Sequence, residues 1–207
     1  HQVYGLTETC GPACLISPDD ALDRAGSTGK EFFFTRVRVV NETGDDCGPD
    51  EPGEVLVKGP HIMVGYLNRE DATAESIVDG WLRTGDVAVM DADGFVYIQD
   101  RVKDMIISGG ENVYPAEIEN AIFGMEGVNE VAVIGIPSEK WGESPLAVVV
   151  RADDSVTEDA VLDHVSGKLA RFKQPKKVEF VDVIPRNPTG KVLKRVLRDQ
   201  FADVSAE

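Results

Sequence analysis

Polar and apolar residues alternate in short runs between residues 31 and 100, with turn-forming residues between the runs. This pattern predicts β-strands at 35–40, 53–58, 87–90 and 95–99. Turn signals such as Asn41-Glu-Thr-Gly44 separate them, and the stretch from Leu82 to Asp86 reads as a loop. Short strands with regular turns favour a small β-barrel or a β-sandwich.

The pattern changes near residue 104, where helices and strands begin to alternate. Apolar residues recur at helical spacing at 115–123, 157–169 and 192–201, with Pro115 starting the first helix and Thr157 capping the second. Apolar runs predict strands at 128–136, 146–151 and 177–183. We therefore expect a mixed α and β protein, in which a compact α+β domain follows a boundary at 101–104.

The charge of the chain is strongly acidic but uneven. The formal net charge is −16, yet residues 171–198 carry nine Lys or Arg against two acidic residues and are +7. An acidic surface repels phosphate, which argues against nucleic acid as a partner. The basic segment is either an anion site or a solvated charged face.

The cysteines predict no metal centre. Cys10, Cys14 and Cys47 form no C-x-x-C pair, and three histidines complete no zinc pattern. Reduced cysteines indicate a cytosolic location. No apolar run approaches the roughly 20 residues of a membrane span. Because the chain starts without Met and enters patterned sequence at once, it reads as a piece of something larger.

Four polar loops carry candidate chemistry. Residues 4–8, Tyr-Gly-Leu-Thr-Glu, offer a ring for a base, and a hydroxyl and carboxylate for phosphate and Mg²⁺. The Asp86 carboxylate could accept both hydroxyls of a ribose. Glycines 109 and 110 form either a ligand-lining loop or a hairpin turn between 105–107 and 112–114. Lys191 ends a Gly-containing loop and could deliver a mobile positive charge. Each motif alone also fits an ordinary turn or surface loop.

Taken in order, these loops resemble the adenylate-forming (AMP-binding) superfamily. The resemblance runs over residues 4–201, and the passage DRVKDMIISGGENVYPAEIE at 100–119 is similar to the acyl-CoA synthetase branch. The overall likeness is to actinobacterial-type synthetases for medium- to very-long-chain fatty acids. It implies two half-reactions at one site. A carboxylate first forms an acyl-adenylate with ATP, and coenzyme A then takes the acyl group and releases AMP.

The resemblance assigns the adenylation roles. Lys191 matches the catalytic lysine, Glu8 the Mg²⁺-associated glutamate and Thr7 the phosphate-contacting threonine. Tyr4 matches the aromatic residue that stacks on adenine, and Asp86 with Arg101 match the ribose-binding pair. The nucleotide-binding set implied is Tyr4, Gly5, Thr7, Asp86, Arg101 and Lys191.

For the thioester step, the resemblance implies that a small C-terminal domain turns about a hinge. Lys103 matches the hinge position, and Gly109 and Gly110 match the pantetheine channel. Further coenzyme A contacts are expected at Trp141, Phe172 and Lys176. The implied domains are residues 1–101, the β-rich end of the large AMP-binding domain with a small distorted barrel, a hinge at 102–104, and a mobile domain at 105–207.

The family's phosphate loop and most of its acyl pocket lie upstream of Tyr4, so the resemblance implies a fragment that is inactive alone and needs the missing N-terminal part. The expected whole enzyme is a fatty-acyl-CoA ligase in the cytoplasm. A fatty substrate could bring it to the inner membrane face. The alternatives are an aryl-CoA ligase, a noncatalytic module that binds adenylate or coenzyme A, and a noncatalytic partner lending its C-terminal domain. The sequence does not fix the acid.

Overall fold

A computed structural model describes residues 2–206 of the chain. The chain divides into two compact units, His1–Val102 and Lys103–Glu207, called here the first and second units.

The first unit is mostly β-structure. In chain order its elements are β1 (Val3–Tyr4), β2 (Cys14–Leu15), β3 (Lys30–Glu31), β4 (Arg36–Val40), β5 (Gly53–Lys58), α1 (Glu70–Ser76), β6 (Ile77–Val78), β7 (Trp81–Met90) and β8 (Val96–Arg101). Strands β1 to β3 form a small antiparallel sheet. A second antiparallel sheet has the order β4-β5-β7-β6, and β8 also pairs with β7.

The second sheet of the first unit is open, so the predicted small distorted barrel does not close and that part of the prediction is wrong. Strand β7 is long enough to carry two partners, β6 beside Trp81 and Leu82 and β8 from Asp86 onward. Its far edge is therefore shared by two strands. Within residues 2–206 neither of them pairs with β4, which is what closure would need.

The predicted loop at 82–86 is also wrong, because β7 runs through it. Leu82 pairs with Val57, and Asp86 pairs with Arg101. The Thr-Gly-Asp sequence predicted a turn because Gly85 tolerates a positive φ, here 69°. The strand accommodates Gly85 at an irregularity in its register with β5, between the pairs Leu56–Arg83 and Glu54–Val87. The predicted strands 35–40, 53–58 and 95–99 are confirmed within one or two residues.

The second unit places helices on a five-stranded sheet. Its elements are β9 (Ile106–Ser108), β10 (Glu111–Val113), α2 (Pro115–Phe123), β11 (Val128–Ser138), β12 (Gly142–Arg151), α3 (Glu158–Ser166), β13 (Lys177–Phe180) and α4 (Lys194–Gln200). The sheet order is β10-β9-β12-β11, with β13 pairing in parallel on β12.

Successive residues of β12 face opposite sides of this sheet, as strand geometry requires. Ala147 and Val149 join the core under α2 and α3, whereas Leu146 and Val148 join a second apolar cluster with Leu197 of α4. Both faces are therefore covered, which explains why β12 reads as a continuous apolar run.

The predicted helices of the second unit are confirmed, with shorter ends for two of them. Helix α2 has the predicted bounds, α3 ends at Ser166, and α4 covers 194–200. Thr157 caps α3 as predicted, since its Oγ1 accepts a hydrogen bond from the Ala160 N–H at 3.2 Å. Across residues 2–206, no helix has the length and apolar character needed to span a bilayer.

Candidate functional site

A cavity of about 590 Å³ opens on the first unit where three polar segments meet. The end of β1 and the turn after it supply one wall, β7 and β8 supply a second, and the loop before α1 supplies a third. The lining residues are Tyr4, Gly5, Leu6, Thr7, Glu8, Tyr66, Thr84, Asp86 and Arg101. Six of them are residues that the sequence singled out.

Close backbone packing fixes the shape of the 4–11 segment. The buried Thr9 accepts a hydrogen bond from the Leu6 N–H at 2.9 Å, and its hydroxyl lies 2.6 Å from the Gly11 carbonyl oxygen. A Cβ on Gly5 would come within 2.5 Å of that same oxygen. Glycine at position 5 is therefore required by the fold of the segment itself.

Asp86 is the most buried polar group of the cavity, at 6% exposed. The Tyr4 hydroxyl donates to its Oδ2 at 2.7 Å, and Arg101 Nε lies 3.3 Å from its Oδ1. The Asp86 N–H donates to Thr84 Oγ1 at 3.1 Å, which fixes the backbone. The predicted pair Asp86 and Arg101 is thus brought together across β7 and β8. No role for Thr84 was predicted from the sequence. Its place in the Thr-Gly-Asp motif was the signal that could have identified it.

Burial, with the negative charge of Asp86 added, raises the pKa of the Tyr4 hydroxyl well above its ordinary value. The hydroxyl therefore stays protonated and acts as a donor at any physiological pH. Because it holds Asp86, the ring of Tyr4 is fixed in the cavity wall.

Glu8 is half-buried and also lines the cavity. The Tyr66 hydroxyl donates to its Oε1 at 2.8 Å, and this hydrogen bond raises the pKa of Tyr66. The sequence reasoning missed Tyr66. The available signal was a single aromatic residue after a glycine, in the stretch before a short helix.

The residues present fit a magnesium ion that is shared with a nucleotide. No cluster of three or more His, Cys, Asp or Glu side chains suited to a metal occurs in residues 2–206. Mg²⁺ is commonly held by one or two carboxylates together with substrate phosphates and water. Glu8, next to the exposed Thr7 hydroxyl, could supply such a carboxylate.

Lys191 lies in the second unit, at the end of an ordered loop. Its N–H donates to Asn187 Oδ1 at 2.8 Å, and the Asn187 N–H donates to the Lys191 carbonyl at 2.9 Å. Arg186 bridges to Val192, and Gly190 has a φ of 86°. The loop therefore presents an exposed lysine from a fixed backbone.

Lys103 lies in the 3₁₀ turn Val102–Asp104, at the division between the units. Arg198 of α4 fixes the start of the second unit, since its guanidinium donates to Asp104 Oδ1 at 2.8 Å and to the Lys103 carbonyl at 3.4 Å.

A second cavity, of about 410 Å³, lies within the second unit. It brings together Trp141, Phe172 and Lys176, three positions expected for coenzyme A, and is lined by Ser108, Lys140, Trp141, Arg171, Phe172 and Lys176. Burial lowers the pKa of Lys176, and the charges of Arg171 and Lys140 lower it further. Aromatic rings beside clustered cations suit a ligand that carries both a flat ring and phosphates.

The glycine hairpin adjoins this cavity, because Gly109 and Gly110 form the confirmed turn between β9 and β10. The Gly109 N–H donates to the Trp141 carbonyl at 2.8 Å, and a Cβ on Gly109 would lie 2.8 Å from the Trp141 ring. Gly110 has open space around it and needs glycine only for its φ of 86°. The close approach of the Trp141 ring therefore helps to explain why residue 109 is glycine.

The geometry agrees with the likeness to known proteins. The AMP-binding enzyme family matches residues 1–67, and its C-terminal domain family matches residues 117–191. The chain belongs to the AMP-binding enzyme family.

Three relatives illustrate the likeness. Long-chain-fatty-acid–CoA ligase FadD13 of Mycobacterium tuberculosis is 51% identical over 97% of this chain and 40% of that ligase. A feruloyl-CoA synthase of Amycolatopsis is 46% identical over 97% of this chain and 41% of that synthase. The solved structure of o-succinylbenzoate CoA synthetase from Bacillus subtilis, in complex with the acyl-adenylate intermediate, matches with a TM-score of 0.91 at 41% identity. That match covers 96% of this chain and 40% of the synthetase.

The chain therefore spans about 40% of the length of the curated relatives it matches. Residues 2–206 hold both cavities, and the larger part of each of these relatives lies outside the match.

Proposed function

We propose that this chain is the nucleotide- and coenzyme-A-binding part of an ATP-dependent acid–thiol ligase. The reaction converts a carboxylic acid, ATP and coenzyme A to acyl-CoA, AMP and pyrophosphate. The observation that carries the proposal is the group formed by Tyr4, Asp86 and Arg101 on one cavity. These three side chains provide an aromatic ring, a buried carboxylate and a cation, which are groups that can bind a nucleoside phosphate.

In the first half-reaction a substrate carboxylate oxygen bonds to the α-phosphorus of ATP, and the bond to pyrophosphate breaks. Asp86 accepts from the ribose hydroxyls through lone pairs that Tyr4 and Arg101 leave open. Thr7 and the backbone at Gly5 contact the nucleotide. Glu8 would hold Mg²⁺, which supplies charge neutralisation at the phosphates. Lys191 places its ammonium where negative charge develops.

In the second half-reaction the thiol of coenzyme A attacks the acyl carbon, and AMP leaves with the electron pair of the broken bond. The second cavity supports this step, with Trp141 and Phe172 for the adenine ring and Lys176 for phosphate. Gly109 and Gly110 would line the path of the pantetheine arm. Lys103 would be the hinge that exchanges Lys191 for the glycine hairpin.

A fatty acid is the first candidate substrate because FadD13 has the highest identity among the relatives described above. An aromatic acid is the second, because feruloyl-CoA synthase and 2-succinylbenzoate–CoA ligase both reach 46% identity. With a fatty acid, peripheral contact of a cytoplasmic enzyme with the inner membrane face is part of the proposal.

The test of the substrate is ATP–pyrophosphate exchange by a full-length protein containing this chain, across fatty acids of graded length, aryl acids and amino acids. A maximum among fatty acids is expected. A maximum among aryl acids would move the enzyme to the second candidate. No exchange with any acid would favour a noncatalytic binding module.

The chain itself can be tested by calorimetric titration with AMP. Asp86→Ala should weaken AMP binding by at least about 10-fold, because the ribose hydroxyls lose a charged acceptor. Asp93→Ala is the matched control, since Asp93 is an exposed carboxylate away from the cavity lining. Equal binding by both variants would contradict the nucleotide site.

A further inference from the structure

Tyr66 and Glu8 are 58 residues apart in sequence yet share a hydrogen bond at the mouth of the nucleotide cavity. The Tyr66 hydroxyl donates to Glu8 Oε1 at 2.8 Å. A second tie lies beside it, because the Met63 N–H donates to the Glu8 carbonyl at 2.8 Å. The loop before α1 therefore holds both the backbone and the side chain of Glu8.

Tyr66 is itself fixed by the start of α1. Its N–H donates to Thr73 Oγ1 at 2.9 Å, and the Thr73 hydroxyl donates to the Arg69 carbonyl at 2.8 Å. Gly65 permits this contact, because its φ is 153° and a Cβ there would lie 2.8 Å from the Thr73 side chain. These contacts fix the backbone of Tyr66, so its hydroxyl projects from an ordered loop.

The hydrogen bond occupies only half of the Glu8 carboxylate. In the described part of the chain, Oε2 of Glu8 accepts from no donor. An unrestrained glutamate loses rotamer freedom when it binds an ion, and a carboxylate that is already held loses less. Holding Oε1 therefore prepares Oε2 to be a ligand.

We propose that Tyr66 is a positioning residue for the magnesium–nucleotide complex, acting through Glu8 by holding Oε1 and leaving Oε2 for the cation. This inference rests on the proposed function, since it takes Glu8 as the Mg²⁺-associated carboxylate. Tyr66 is 39% exposed, so the core of the first unit does not depend on its hydroxyl.

The experiment is calorimetric titration with ATP of a full-length protein that contains this chain, once with Mg²⁺ and once with EDTA. Tyr66→Phe removes the hydroxyl alone. It should weaken ATP binding in Mg²⁺ by about 3- to 10-fold and change binding in EDTA by less than about 2-fold. Tyr97→Phe is the matched control, because the Tyr97 hydroxyl lies 3.5 Å from Asp91 and does not line this cavity.

A double-mutant cycle separates positioning from direct contact. In a Glu8→Ala background, Tyr66→Phe should have no further effect on binding in Mg²⁺. If its effect persists there, or if binding falls equally in Mg²⁺ and in EDTA, Tyr66 does not act through Glu8 and the inference is wrong.

Failure of the proposed function would look different. If the unmodified protein binds no ATP, or gains nothing from Mg²⁺, the nucleotide site or the role of Glu8 is wrong, and the inference is lost with it. If the unmodified protein gains affinity from Mg²⁺ and Tyr66→Phe keeps that gain, the inference alone is overturned. Thermal unfolding should give Tyr66→Phe and Tyr97→Phe the same midpoint within about 2 °C, and a lower midpoint for Tyr66→Phe alone would assign its hydroxyl a structural role.

Discussion

Ser144 places a hydroxyl in the core of the second unit, on the face of β12 that also carries Leu146 and Val148. It is fully buried, and its Oγ has no hydrogen-bond partner among residues 2–206. An unpaired buried hydroxyl costs its desolvation free energy. Ser144→Ala should therefore raise the free energy of unfolding by about 1 kcal/mol, as measured by urea denaturation of the second unit's transition.

Ser138, at the end of the paired strand β11, is the control for that prediction. It is similarly buried, but its Oγ accepts a hydrogen bond from the Trp141 N–H at 3.2 Å. Ser138→Ala leaves this N–H without its acceptor, so it should lower the free energy of unfolding by about 1 kcal/mol. If both substitutions changed the free energy of unfolding in the same direction, hydrogen bonding of the serine hydroxyl would not determine the effect on stability.

The glycine hairpin of β9 and β10 is the element on which the second cavity depends. Gly109 and Gly110 both have positive φ, so alanine at either position costs about 1–2 kcal/mol of backbone strain. Gly109→Ala additionally pushes a methyl group against the Trp141 ring, whereas Gly110→Ala meets nothing. Gly109→Ala should therefore weaken coenzyme A binding by about 10-fold or more in calorimetric titration. Gly110→Ala should weaken it less, because its methyl group meets no protein atom and can act only in the proposed path of the pantetheine arm.

Equal losses in the two glycine variants would mean that hairpin strain, and not the position of Trp141, controls the cavity. A normal affinity in Gly109→Ala, with an intact fold, would remove the hairpin from the coenzyme A site.

Elements with a full repeat of their pattern, and the hairpin marked by Gly109 and Gly110, were predictable from the sequence, whereas the two-residue strands β2, β3 and β6 were not. Helix α2 begins at Pro115 and α3 at a capping threonine, so local chemistry fixed their starts. Strands β1, β2, β3 and β6 have two residues each, too few to show alternation. The first half of β7 was predicted as a loop because Gly85 signals a turn. Only the pairing of β7 with β5 and β8 shows that this segment is a strand.

The candidate site also contains residues that local pattern could identify and contacts that it could not. Asp86 and Arg101 carry their own local motifs, but the contact that joins Tyr4 to Asp86 spans 82 residues and that of Tyr66 to Glu8 spans 58. Contacts over such distances depend on how the sheet pairs. Local pattern therefore identified Glu8 and could not identify the residue that holds it.

At the scale of the whole molecule, the two proposed half-reactions are assigned to different residues of the second unit. Lys191 serves adenylation alone, so Lys191→Ala should slow acyl-adenylate formation by roughly 100-fold or more, because a charge that stabilises the transition state is lost. Conversion of supplied acyl-AMP to acyl-CoA should stay within about 3-fold. Both rates are measured by quenched-flow assays on a full-length protein containing this chain.

Lys103→Pro is the reciprocal variant, because proline restricts φ at the proposed hinge. It should spare adenylation and slow thioester formation from supplied acyl-AMP by about 10-fold or more. Arg195→Ala is the control: it removes an exposed charge of α4 that pairs with Asp199 of the same helix, and it should change both rates by less than about 3-fold. If either principal variant slows the two half-reactions equally, the separation of roles between Lys191 and Lys103 is wrong, even if the nucleotide site on the first unit stands. Opposite selectivity in the two variants is the result expected if the two half-reactions use different parts of this unit.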